Sequence, residues 1–376
     1  MLASLRKLGL GTERYPALTG VRAVGASVVF FDHFPLSPGV HVVINVLAFF
    51  FALSGFLIVR IYYEQAQISL RWLTKYFVNR FARIYPVYFL LLTVAVLLNH
   101  ASGWWTLLTN YTLTHALFHG TTVIIQPSWS LTVEECFYLL APAFMLLARR
   151  YTFVAPFALA CLLLAAALAV SQLGYAFLGT RAFVLSTTFF GHFVEFFAGV
   201  WLALRVIKLE KQGSIRTPGC VRTVVGVLGV SVLIGAMMVV YQHPPLDYRR
   251  IIVINNFLMP LPIALLYSGF IREDTGLARL LSGRVAGLLG RSSYSFYLMH
   301  TLIIDLVSAR VAPAAAHRLL WISLTFGLTW LLSVLLFVCY EEPLNLLIRG
   351  KFRSNEKSVG MTDTLFRPQV GVASQG

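Results

Sequence analysis

Long apolar runs alternate with short polar ones along almost the whole chain. The apolar stretches fall near residues 17–33, 40–60, 84–100, 130–148, 153–171, 187–204, 223–241, 251–270, 293–308 and 319–339. At about 1.5 Å per helical residue each can cross most or all of a hydrocarbon layer. The pattern predicts an all-α, polytopic transmembrane bundle of about ten membrane helices. Residues 1–345 read as one membrane domain, and the polar, Gly- and Ser-bearing segment 346–376 as a disordered C-terminal tail. Between spans, residues 277–290 read as a short amphipathic helix at the inner surface. Residues 101–128 carry Trp104 and Trp105 and no charge apart from His115 and His119, so they predict a helix lying on or dipping into the membrane.

Composition agrees with that pattern. At 58% hydrophobic residues and a mean hydropathy of +0.76, the chain exceeds the 45 to 50% apolar share of soluble domains, which excludes a soluble globule. The first fifteen residues hold Arg6, Lys7 and Arg14 but no long apolar core, so no cleaved signal is expected and the first span serves as its own insertion signal. A net charge of +15 could suit nucleic acid, but its distribution points elsewhere. Of the 30 Lys and Arg, 24 fall on the side bearing both termini, 5 on the other, and Arg22 within the first span. The positive-inside rule then places both termini in the cytoplasm of a multi-pass protein of the inner (plasma) membrane. The lipid bilayer, not nucleic acid, is the expected partner of the basic excess. Cys136, Cys161, Cys220 and Cys339 are scattered without a CxxC pair, and His100, His115 and His119 have no regular spacing, so no metal site is expected.

Polar residues inside the apolar runs are the candidates for chemistry. In LTGVRAVGASVVFFDHF, residues 18–34, Arg22 and His33 are eleven positions apart, which on a helix is about 16.5 Å and three turns plus about 20°. They share a face at different depths, lining an interior site or snorkelling to opposite interfaces. Ser54 and Gly55 interrupt the second span, for close packing or for a ligand. Outside the runs, in the basic cytoplasmic segment 60–83, Arg80 and Arg83 are neighbours on a helix face and could hold phosphate oxyanions or serve topology alone. In PSWSLTVEECFY, Pro127 with Ser128 or Ser130 reads as a helix start, and Thr132 with Glu135 has the spacing of a capping box. That leaves Glu134, on one face with Tyr138, answering the helix dipole or forming part of a buried polar site. His192 and Glu195 can pair with each other. Asp247, Arg249 and Arg250 in an outer loop can meet a polar acceptor or water. Ser293, Tyr297 and His300 recur at helical spacing, with Asp305 about 140° round from His300.

Taken in order, R-x10-H in the first span, ALSGFLI in the second, RFARIYP before the third, SWSLTVEECFY at the fourth and SYSFYLMH near the end resemble the acyltransferase type 3 family of integral-membrane acyltransferases. The resemblance covers residues 15 to about 345. Two departures stand out: Cys136 occupies a position where members often carry Gln, and no extracytoplasmic esterase-like domain follows. The resemblance implies transfer of an acyl group, most often acetyl, from cytoplasmic acyl-CoA, as co-substrate and not a resident cofactor, to a hydroxyl of a sugar or cell-surface glycan such as a polysaccharide or lipopolysaccharide. It implies His33 as general base, Glu134 orienting it or positioning the acceptor, and Arg22 stabilising the donor or the thioester oxyanion. Arg80 and Arg83 would hold the CoA phosphates, and Tyr138 and His300 would contact substrate. A small secreted metabolite such as a macrolide is an alternative acceptor. A proton-coupled transporter is the alternative class, weakened by the lack of an internal repeat.

Overall fold

The computed structural model describes residues 13–33, 43–98, 103–171, 179–242, 248–308 and 318–358. Among them the secondary structure is helical, with no strand. The main helices are α1 (Pro16–His33), α2 (Val43–Tyr62), α3 (Leu70–Leu98), α4 (Trp104–Tyr111), α5 (Trp129–Arg150), α6 (Val154–Val170), α7 (Arg181–Thr187) and α8 (Phe189–Lys211). They continue with α9 (Val221–Gln242), α10 (Tyr248–Ile252), α11 (Pro260–Arg272), α12 (Gly276–Leu281), α13 (Arg284–Ser308), α14 (Arg318–Leu336) and α15 (Glu342–Ser358). The chain is an all-α polytopic bundle. Seven helical stretches among the described residues are long and apolar enough to cross a bilayer. Pro16–His33, Val154–Val170 and Arg284–Ser308 are helical without meeting that measure.

Helices in lipid gain little from burying apolar surface against one another, so close packing and polar contacts must hold them. The tightest pairing is α2 with α8. A Cβ on Gly55 would stand 2.1 Å from the Phe196 carbonyl oxygen, and one on Gly199 would stand 1.8 Å from that of Ala52. Gly55 therefore packs, while its neighbour Ser54 turns to a ligand-sized cavity described below. Phe196 of α8 stacks on Phe51 of α2 and on Phe137 of α5, with ring centroids 4.7 and 4.4 Å away. At Gly290 a Cβ would meet the Thr19 carbonyl oxygen at 2.0 Å, so α1 lies directly along α13.

Several expectations need correction. Helix α5 does start after Ser128, but Thr132 and Glu135 make no capping box: Thr132 Oγ1 and Glu135 Oε1 have no hydrogen-bond partner. Thr132 already lies inside the helix, past the free N–H groups that a cap would satisfy. The expected inner amphipathic helix is split. Thr275 accepts from the Ala278 N–H to start α12, which stops at Ser282, and residues 284–290 are the first turns of α13. The boundary at residue 346 falls inside α15, which runs to Ser358 and packs on α3. Its charged residues read as solvated, yet one face is turned to the bundle. Residues 359–376, like His100 and Asp247, lie outside the described residues.

In the outer segment only Trp104–Tyr111 forms an α-helix, followed by 3₁₀ turns at His115–Leu117 and Gln126–Ser128. Buried Asn110 holds it, donating to the Thr106 and Thr122 carbonyls at 2.8 Å and accepting from the Ile124 N–H at 3.1 Å. His115 Nε2 lies 3.2 Å from Ser128 Oγ. His192 is likewise a local fixture, with Nδ1 3.1 Å from Glu195 and Nε2 3.0 Å from the Ser186 carbonyl.

Candidate active site

A cavity of about 520 Å³ opens between α1, α2, α3, α5, α13 and α15. It collects polar residues singled out in the sequence: Arg22, Ser54, Arg80, Arg83, Glu134 and Tyr138 all line it. Helix spacing explains the meeting on α5, where Glu134 and Tyr138 are one turn apart. Ser54 Oγ and Tyr138 OH both donate to the same oxygen, Oε1 of Glu134. Two donors on one oxygen fix the carboxylate group's orientation within the cavity. Glu134 therefore belongs to a buried polar site and does not merely answer the helix dipole.

The arginines divide into two kinds. Arg83 Nη1 donates to Glu341 Oε1 at 2.5 Å, and Ser295 Oγ donates to the other oxygen of that carboxylate at 2.6 Å. Glu341 is placed there by a π-helical stretch, Phe337–Glu341, that joins α14 to α15 and carries one extra residue into the turn. Arg291 donates to Glu342 at 2.6 Å. Arg22 and Arg80 make no ion pair with a carboxylate among the described residues. Arg80 sits between two rings, 5.7 Å from Tyr62 and 5.6 Å from Tyr138, an arrangement in which the π faces attract the cation.

His33 and His300 are not on the wall of this cavity. Its limit on α13 is Tyr297, whose hydroxyl lies 2.8 Å from Ser130 Oγ and 3.0 Å from the Pro127 carbonyl oxygen. The ring of Phe50 stands 6.1 Å from that of Tyr297. One turn further along α13 comes His300, fully buried, with Nε2 3.3 Å from His33 Nδ1. The shared face of α1 thus runs from the cavity at Arg22 to a separate histidine pair.

The partners of that pair fix its proton positions. His300 Nδ1 lies 2.6 Å from the Tyr297 carbonyl oxygen and His33 Nδ1 3.0 Å from that of Val29. A carbonyl only accepts, so in the neutral rings both Nδ1 atoms carry the hydrogen. His300 Nε2 is then an acceptor facing the His33 Nδ1–H. His33 Nε2 keeps its lone pair, with no hydrogen-bond partner among the described residues, the form a proton acceptor needs.

Of the residues that the resemblance groups together, Glu134 bonds to Ser54 and Tyr138, while the side chain beside His33 is His300. Arg22 lines the cavity and His33 does not, with about 16.5 Å of helix between them. The sequence reading also misses Glu341, Glu342 and Arg349, all turned to this side. A signal exists: Arg349 is seven residues after Glu342, two helical turns less about 20°, hence on the same face.

The family model described as "Acyltransferase domain" matches residues 15–338. The chain belongs to this acyltransferase family. It is 26% identical over 353 residues, 84% of each chain, to a protein named acyltransferase MdmB from Streptomyces mycarofaciens. It is 27% identical over 169 residues to the peptidoglycan O-acetyltransferase OatA of Listeria monocytogenes, which covers 37% of this chain and 26% of that protein. The chain therefore aligns with about a quarter of the length of the latter relative. No solved structure matches it. Family membership makes this a membrane acyltransferase and displaces the transporter alternative.

Proposed function

We propose that the protein transfers an acyl group, acetyl in the simplest case, from acyl-CoA entering at the cytoplasmic side to a hydroxyl of a sugar or glycan at the outer side. The observation that carries this reading is the layout. Cations without carboxylate partners stand on the cavity wall, and an imidazole with an open lone pair lies beyond its opposite end. The basic excess on the side of both termini supports a cytoplasmic mouth and an inner-membrane location.

In this mechanism the donor lies along the cavity with its thioester toward Tyr297, and that partition parts to bring it to His33. His33 Nε2 takes the proton of the acceptor hydroxyl. The oxygen attacks the thioester carbon, and collapse of the tetrahedral intermediate breaks the C–S bond. The departing CoA sulfur then receives the proton from His33, so charge and atoms balance. The Val29 carbonyl holds His33 in the productive tautomer, and His300 braces the ring at Nδ1. Arg22, Glu134 and Tyr138 act on the donor within the cavity, not on the reacting carbonyl beside His33. A glycan acceptor is favoured over a small metabolite because one relative is named a peptidoglycan O-acetyltransferase.

The test is release of free CoA thiol from acetyl-CoA by the purified protein, with candidate glycan hydroxyl acceptors added, for wild type and His33→Ala. Acceptor-dependent release in wild type and none in the variant is expected. Equal release by both would remove His33 from the chemistry.

A further inference from the structure

The sequence motif offers Arg80 and Arg83 as a pair, but the cavity pairs them differently. Five arginines line it, Arg22, Arg80, Arg83, Arg291 and Arg349, against three glutamates, Glu13, Glu134 and Glu342. Arg83 is tied to Glu341 behind the wall, and Arg291 to Glu342 with Glu13 3.9 Å from its Nε. Arg349, like Arg80, has no carboxylate partner among the described residues. Both also have a buried Nε without a hydrogen-bond acceptor.

These two are neighbours. Arg349 Nη2 donates to the carbonyl of Asn79 at 3.3 Å, against the residue next to Arg80 in sequence, and both arginines line the same cavity. A buried guanidinium with an unmet N–H and no counter-ion is costly, and two side by side are costlier. Something anionic with several acceptor oxygens would relieve both at once. A phosphate suits the planar fork of arginine better than a carboxylate already engaged elsewhere.

We infer that Arg349 of α15 and Arg80 of α3 form a two-arginine clamp for a phosphate group, with Arg83 serving to anchor Glu341. The inference rests on the acyl-CoA reading, since CoA brings an adenosine 3′-phosphate and a 5′-diphosphate. It adds a binding residue from a segment that the polarity pattern assigns to the tail.

The experiment is calorimetric titration of the purified full-length chain in detergent with CoA, 3′-dephospho-CoA and pantetheine, for wild type, Arg349→Gln and Arg349→Lys. Arg349→Gln should weaken CoA binding about tenfold or more and leave pantetheine, which has no phosphate, unchanged. Arg349→Lys should lose less, because it keeps the charge without the fork. An equal loss with 3′-dephospho-CoA would assign the clamp to the diphosphate; a loss confined to CoA would assign it to the 3′-phosphate. Unchanged CoA affinity in both variants would overturn the clamp, and so would a matching loss for pantetheine, which would mean general damage. Should the Gln variant fail to fold, the Lys variant decides by the same comparison of CoA with pantetheine. Wild type binding none of the three probes would instead overturn the acyl-CoA reading, and the clamp with it.

Discussion

Replacing His33 with alanine removes the imidazole nitrogen that keeps its lone pair, and should lower transfer by about 10²- to 10⁴-fold, the range for loss of a general base. His300→Ala leaves that nitrogen and the Val29 contact in place but removes the ring that braces His33 at Nδ1, so the imidazole can turn away from its productive position. It should lower kcat about tenfold or more while the donor KM stays near wild type; an unchanged kcat in steady-state thiol release would return His300 to packing. Arg83→Gln strands Glu341, whose side chain is 1% exposed, beside a removed counter-ion. A loss of about 3 kcal/mol is expected, read as a lower unfolding temperature. Part of this site is legible in sequence because a charge inside an apolar run has few bland explanations, which is how Arg22 and Glu134 stand out; Tyr138 follows from its helical spacing to Glu134, whereas Arg80 lies in a basic segment that topology alone would explain. The contact of His33 with His300 is not legible: it joins positions 267 apart, and helical periodicity relates only residues of one helix.

The elements themselves follow from the apolar pattern, since a membrane span must satisfy its own backbone and the helix is the way a single segment does so. What the pattern leaves open is which helices touch. The α2 and α8 pair depends on two glycines, and Gly199→Val would drive its side chain into the Ala52 carbonyl, 1.8 Å from the first added carbon. The expected cost is about 3 kcal/mol or more, visible as loss of the monodisperse peak on size-exclusion chromatography. Helix ends are read less well. Polarity after residue 345 suggests solvent, whereas α15 is a helix whose exposed and inward faces alternate, with Asn345 buried and Leu346 exposed. Between α5 and α13, Tyr297→Phe deletes the hydroxyl shared with Ser130 and Pro127. It should raise acceptor-independent hydrolysis of acetyl-CoA relative to transfer, measured as thiol released without acceptor.

Across the whole molecule, charge and cavity point the same way. The basic side of the bundle carries the inner ends of α2, α5 and α8, with Arg60 bonded to Glu210 and Arg149 donating to the Ala66 carbonyl. Cys220, exposed just before α9, belongs to that side. A membrane-impermeant maleimide should therefore label it in inside-out vesicles and spare it in intact cells; the reverse result would invert the topology. Tyr297 has a consequence of another kind. A cavity wetted from the cytoplasm carries cytoplasmic voltage inward to its end, so the membrane potential falls across whatever separates it from the outer side. Each elementary charge crossing that barrier exchanges about 2.3 kcal/mol per 100 mV. The hydroxyls of Tyr297 and Ser130 end there on the Pro127 carbonyl, which accepts a hydrogen bond but has no proton to hand on. With the cavity open to the cytoplasm as proposed, the closed partition would act as an electrical insulator, keeping an enzyme that moves protons from short-circuiting the membrane it sits in.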